Sequence, residues 1–223
     1  MTDILAWHFV GKTLRDGRPI PSDGEWLEQS GEIIPCKSGL HGSVRLIDAL
    51  EYAPSATLCR VTLAGTIVPH NGDKHAASRR IIHWRIDASD LLRTFARRCA
   101  LDVIHLWAAP EIVRQYLETG NETLRDAAEA AIRDAAMAAA TGAPRAAARA
   151  AAEAVIRDAA GNAWAAARNA AWAAATGATW AAATDAAWVA ATDAQNDILT
   201  VMVHAIAQNR GYEMEPAIRD MDN

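Results

Sequence analysis

The rhythm of apolar positions divides the chain into a strand-rich part and a helical part. Ile4-Leu5-Ala6-Trp7-His8-Phe9-Val10 is dense in aromatic and branched side chains, the composition of a strand. Asp16-Gly17-Arg18-Pro19-Ile20-Pro21 is turn chemistry, and Gly31 to Cys36 predicts a second short strand that Pro35 confines to an edge or an end. Gly39-Leu40-His41-Gly42-Ser43 reads as a tight loop, from which Ser43 caps a short helix reaching Ala53. Thr57 to Thr66 alternates as a strand, and Gly65 precedes Ile67-Val68. Arg80 to Ile86 is the last clear strand. A period of two places Arg80, Ile82, Trp84 and Ile86 on one face, with Arg79, Ile81, His83 and Arg85 on the other.

Beyond Asp87 the period lengthens to that of a helix. Asp87 or Ser89 caps a helix through about Cys99, with Leu91, Leu92 and Phe95 on its apolar side. Asp102 to Trp107 is short and ambiguous. Pro110 opens a helix that ends near Gly120, and Asn121 caps the start of a repeat. Trp164, Trp172, Trp180 and Trp188 recur every eight residues, and Arg168, Thr176, Thr184 and Thr192 fall midway. Alanine supplies 37 of the 70 residues from Asp126 to Gln195, so the whole stretch is predicted helical. An octad advances two turns plus roughly 80°, so four tryptophans on one straight helix would face four directions. Breaks at Gly142, followed by Pro144, and near Gly177 relieve this, and Gly161-Asn162 is a weaker break. The expected result is a set of helices of about 15–20 residues packed as hairpins. Alanine lets the backbones approach, and each tryptophan fills the gap opposite, in the core or at an interface between copies.

The predicted fold class is therefore α+β: a small mixed or antiparallel sheet domain over 1–118, an Ala/Trp-rich all-α repeat domain over 119–208, and an acidic, loosely held tail over 209–223. Composition narrows the setting. A net charge of −5 disfavours a general nucleic-acid binder. Three widely spaced cysteines, Cys36, Cys59 and Cys99, suit free thiols in a reducing compartment. The opening Met1-Thr2-Asp3 has no signal-peptide character, and polar residues interrupt the Ala/Trp stretch. A cytoplasmic protein without a membrane span is expected.

Charge is segregated in a way that points to a site. Between His70 and Cys99 lie Lys74, Arg79, Arg80, Arg85, Arg93, Arg97 and Arg98 against Asp73, Asp87 and Asp90, a local +4 in an acidic chain. Asn71-Gly72-Asp73-Lys74 is a loop, and loops presenting Lys and Arg beside backbone N–H groups suit phosphate. Lys74, Arg79, Arg80, His83 and Arg85 are the candidate ligand-binding residues, with the face carrying Arg79, His83 and Arg85 preferred. Cys36, His41 and Cys59 lack the paired spacing of a metal site, and no cofactor fingerprint occurs, so neither metal nor cofactor is expected.

Trp7 to Gly17, then Cys36-Lys37-Ser38-Gly39-Leu40-His41-Gly42-Ser43, then Asp48-Ala49-Leu50-Glu51-Tyr52-Ala53-Pro54, resemble a family of phage and prophage proteins in which a "GLHxS…DALxYAP" domain precedes Ala-rich helical repeats. The resemblance implies a viral or mobile-element origin. Cys36–Ser43, with the short helix predicted after it, also resembles, more loosely, ADP-ribosyltransferase-like folds, where a "Gly-(Leu/Ile)-(His/Tyr)-small" strand lines a nicotinamide cleft. That likeness makes His41 and Tyr52 candidate catalytic residues, and no glutamate matches the third role. The expectation is a phage accessory protein that binds rather than catalyses. It captures a phosphate-bearing ligand such as a nucleotide signal, or an acidic host partner, with counter-defence as one such role, and self-associates through Trp164, Trp172, Trp180 and Trp188. A transferase-like enzyme and a purely structural homo-oligomer are the alternatives.

Overall fold

In the computed structural model, residues 2–138, 143–157, 163–176 and 181–215 are described. Ile4–Val10 forms β1, Trp26–Glu28 β2, Leu40–Gly42 β3, Leu46–Glu51 α1, Thr57–His70 β4 and Lys74–Asp87 β5. Helices α2 (Ser89–Asp102), α3 (Glu111–Thr119), α4 (Arg125–Ala138), α5 (Ala143–Arg157), α6 (Ala163–Ala175) and α7 (Ala181–Asn209) follow. The layout is α+β, as the periodicity predicts. Packing separates two units: residues 1–88 with 200–223, and residues 89–199. The shift in composition near residue 118 and this division in packing fall at different places.

In the first unit five antiparallel strands run in the order β1-β4-β5-β2, and β3 also pairs with β5. The long β4–β5 hairpin turns at Asn71-Gly72, both with positive φ. Trp7 and Ser43 exchange two backbone hydrogen bonds of 2.8 and 2.9 Å, so β1 also meets the end of β3 and the sheet curls back on itself. Gly42 permits this approach, because a Cβ there would lie 3.1 Å from the Ala6 Cβ. Ala6, Val10, Cys59, Val61, Leu63, Ala77 and Ile82 form the core inside the curl.

Several local expectations are corrected. No strand forms over Gly31–Cys36; the edge strand is Trp26–Glu28. Leu40–Gly42 is a strand rather than part of a loop, and Arg45 rather than Ser43 occupies the cap position of α1. Asp102 to Trp107 contains a short 3-10 turn at Ile104–Leu106. Two irregularities interrupt the hairpin. Arg60 pairs with Trp84 and Val61 with Ile82, so His83 is an extra residue on β5. That bulge divides both expected faces of the strand. Arg80 and Ile82 stand opposite Leu63 and Val61, whereas Trp84 and Ile86 stand opposite Arg60 and Leu58.

The segment after residue 209 is also corrected as far as it is described. Tyr212 stacks on Trp84 with ring centroids 5.3 Å apart and planes at 4°, and the Trp84 Nε1–H donates to the Glu213 carbonyl at 2.9 Å. Arg60 Nε donates to the Met214 carbonyl at 3.2 Å while its guanidinium lies 4.1 Å from the Trp7 ring.

In the second unit α2 buries Leu91, Leu92, Phe95, Ala96, Cys99 and Ala100, and α5 and α6 pack on it and on each other. Gly120, at φ 64, ends α3 by donating to the Tyr116 carbonyl. The repeat region is a set of separate helices. The breaks expected at Gly142, Gly161 and Gly177 lie outside the described residues. Alanine, not tryptophan, makes the tight packing: Ala163, Ala166, Ala167, Ala170, Ala171, Ala173 and Ala175 of α6 are buried. Backbones that approach this closely leave no room for an indole. Trp172 is therefore 48% exposed, with its ring edge on Trp188, and Trp164 and Trp188 are half-buried. Trp180 lies outside the described residues. No described helix is long and apolar enough to cross a membrane.

Candidate functional site

A cavity of about 730 Å³ opens in the first unit. Its walls are the end of β1 and the loop beyond it, the Cys36–Gly39 loop with β3, Ala49 of α1 with Tyr52 just after it, and Lys74 and Arg80 of β5. Such a volume accommodates a small metabolite or nucleotide. The two loops are tied together, because Arg15 Nη1 donates to the Cys36 carbonyl at 2.7 Å. Cys36 itself sits at φ 67, uncommon for a residue with a side chain.

Cations dominate the lining. Arg15, Arg18, Lys37, Lys74 and Arg80 face a single carboxylate, Asp16. Asp16 is committed to Arg18, whose Nη2 lies 2.7 Å away and whose Nε donates at 2.8 Å. That contact holds the Asp16 carboxyl below its usual range. Arg18 also reaches Gln29 and the Glu28 carbonyl. Arg80 is only 3% exposed, and its one side-chain hydrogen bond among the described residues runs from Nη1 to the His41 carbonyl at 2.8 Å. Burial lowers its guanidinium to about 10. Lys74 is 9% exposed, and its Nζ stands 3.6 Å from the centroid of the Tyr52 ring. Among the described residues its ammonium has neither a hydrogen bond nor a carboxylate partner. A buried cation without an anion costs several kcal/mol of desolvation, of which a ring face returns about 2.

The cavity's histidines are held neutral. His41 is pushed down to about 4, first by burial and then by the charges of Lys74 and Arg80. Its Nε2 accepts the Cys36 backbone N–H at 3.3 Å, so the ring proton resides on Nδ1. His8 is lowered well below its usual value by burial, and Arg80 and His41 add to the effect. Tyr52 donates its hydroxyl to Asp73 Oδ2. Burial, then that bond, raises the phenol above its ordinary range. The site thus offers fixed positive charge on Lys74 and Arg80, neutral donors and acceptors on two imidazoles, and no free carboxylate among its lining residues.

Of the residues singled out by sequence, the structure brings Lys74, Arg80, His41 and Tyr52 to this one cavity. Arg79, His83 and Arg85 are placed elsewhere. Arg79 pairs with Glu28 at 3.1 Å and lies 4.6 Å from the Trp26 ring. Arg85 pairs with Asp23 at 2.6 Å and reaches the Pro21 carbonyl, while His83 meets Thr62 Oγ1 at 2.7 Å. His8, Arg15 and Lys37 escaped the charge argument. They lie more than thirty residues before the basic stretch, and only the curl of the sheet brings them to it. Their signal was present in the motifs Trp7–Gly17 and Cys36–Ser43, which supply most of the lining. Among the described residues no cluster of His, Cys, Asp and Glu could hold a metal ion.

No curated protein and no solved structure matches the chain. Residues 4–94, which contain every lining residue of the cavity, match the family described as Domain of unknown function (DUF7666).

Proposed function

We propose that the first unit is a binding module for a small phosphate-bearing molecule, held in the cavity by Lys74 and Arg80. The observation that carries this reading is the pair of buried cations, without carboxylate partners among the described residues, on the wall of a cavity large enough for a nucleotide. A bound phosphate offsets their desolvation, and each charge-assisted hydrogen bond contributes about 1.5–3 kcal/mol. Enclosure favours a small anion over the surface of an acidic protein. The phage setting, with the counter-defence role and cytoplasmic site of action it implies, rests on the resemblance of the N-terminal motifs.

Isothermal titration with pyrophosphate and with nucleoside mono- and triphosphates tests this. Binding is expected to weaken with salt, and Lys74→Met and Arg80→Gln each to lower affinity about ten- to a hundredfold. Arg79→Gln, whose charge is spent on Glu28, should leave affinity unchanged. Equal affinity in the parent and in both cavity variants, each shown folded by circular dichroism, overturns the reading.

A second reading keeps a specific observation, that His41 and Tyr52 line the same cavity. A transferase acting on a nicotinamide dinucleotide would use both, whereas Asp16, the one lining carboxylate, is held by Arg18. Release of nicotinamide, followed by chromatography, decides it. For self-association the supporting observation is the exposed Trp172 against Trp188.

A further inference from the structure

The cavity carries one nucleophile that anion binding does not use. Cys36 is exposed at its rim, and its Sγ lies 3.5 Å from Nε2 of His70, at the end of β4. The cavity is marked as a ligand site independently of the thiol, by the nine-tenths-buried Lys74 whose ammonium has no carboxylate partner among the described residues. The other two cysteines are of a different kind. Cys59 and Cys99 are buried, and burial pushes both thiols up, Cys59 to about 12.

We propose that Cys36 is a modification site, with His70 as the base that takes its proton, and that modification of this sulfur and occupation of the cavity by an anion exclude each other. The reactant class is a small anionic disulfide. The Cys36 thiol gives its proton to His70, and the sulfur attacks one sulfur of the disulfide. The S–S bond breaks, a mixed disulfide forms on Cys36, and the other half departs as a thiolate. The disulfide is itself the oxidant, so no further electron acceptor is needed. Arg15 and Lys37, flanking Cys36 on the cavity wall, draw an anionic reagent to it. The adduct places an acidic group at the entrance that a phosphate-bearing ligand must pass. The exclusion rests on the anion-site reading; the reactivity of the thiol does not.

The test uses the full chain and the dianionic aromatic disulfide dithiobis-nitrobenzoate, following release of its coloured thiolate. One thiol per chain is expected to react in a fast phase, faster than free cysteine at the same pH. Cys36→Ser should abolish that phase, and His70→Asn should slow it by about tenfold or more. Saturating pyrophosphate should slow it in the parent, and the modified protein should no longer bind pyrophosphate. A fast phase that survives Cys36→Ser, or a rate no greater than that of free cysteine, overturns the proposed thiol. Unchanged pyrophosphate affinity after modification overturns the exclusion. If the unmodified protein does not bind pyrophosphate, the anion site falls and the exclusion with it. The fast phase and its response to the two substitutions still judge the thiol alone.

Discussion

Single residues set the limits of the site. Gly65, at φ +75, occupies the second hairpin irregularity, and a Cβ there would lie 2.3 Å from Ser78 Oγ. That hydroxyl accepts the Thr66 N–H at 2.9 Å, so it cannot withdraw without orphaning a donor. Gly65→Ala should therefore cost about 1–3 kcal/mol by urea denaturation. Gly72→Ala, at φ +77 but in open space, should cost only the backbone strain of about 1–2 kcal/mol. Histidines set the response to pH. His8, His41, His83 and His204 all titrate below their ordinary value, each mainly because burial disfavours the charged ring. The unfolded chain binds protons that these folded groups refuse. Their contribution is present above about 6.5 and is lost as pH falls toward 4, so melting temperature should drop between pH 7 and pH 5. Between pH 6.5 and 8 anion affinity should follow only the phosphate ligand's own ionisation, since His41 has no charge to lose. A steep fall in affinity as pH rises over that window would assign the binding charge to a histidine instead.

At the scale of elements, periodicity predicts type well and faces poorly. The runs at Ile4–Val10, Thr57 onward and Arg80–Ile86 are strands, and the described parts of the alanine stretch are helical, because these patterns act through local backbone preference. One extra residue, His83, reverses which side chains share a face with Arg80. No period-two count contains that information, since a bulge is settled by the partner strand. The alanine helices show a comparable inversion. Tryptophan is expected in the core or at an interface between copies; close approach of α5 and α6 selects alanine for the core and leaves Trp164 half-buried and Trp172 exposed. Ala170→Leu should then cost about 1–3 kcal/mol through overpacking. Trp172→Ala should cost less than about 1 kcal/mol in stability. If Trp172 is an interface residue, sedimentation velocity will show that variant dissociating at concentrations where the parent does not.

At the scale of the whole molecule, the C-terminal part of the chain returns to complete the N-terminal unit. Residues 200–215 supply His204, Tyr212 and two backbone carbonyls to Trp7, Trp84 and Arg60. A chain ending at Asn209 should lose Trp84's stacking partner and the acceptor of its indole N–H. The expected outcome is a red-shifted tryptophan emission and a loss of about 1–3 kcal/mol, the aromatic pair and one buried donor together. An unchanged spectrum and melting curve would show that the segment adds nothing. The amino-acid sequence by itself determined the α+β class, the helical nature of the repeat, its cap at Asn121 and the presence of Lys74, Arg80, His41 and Tyr52 among residues fit for a site. These follow from local propensity and charge, which act between near neighbours in the chain. Only the tertiary structure decided that β1 meets β3, that Arg15 and Lys37 join Lys74 and Arg80 around one cavity, and that Arg79 and Arg85 are spent on Glu28 and Asp23. Those outcomes depend on strand pairing across tens of residues and on a bulge whose position the partner strand sets. Whether a charge is buried without its own counter-ion is decided by the fold, and no local pattern records that.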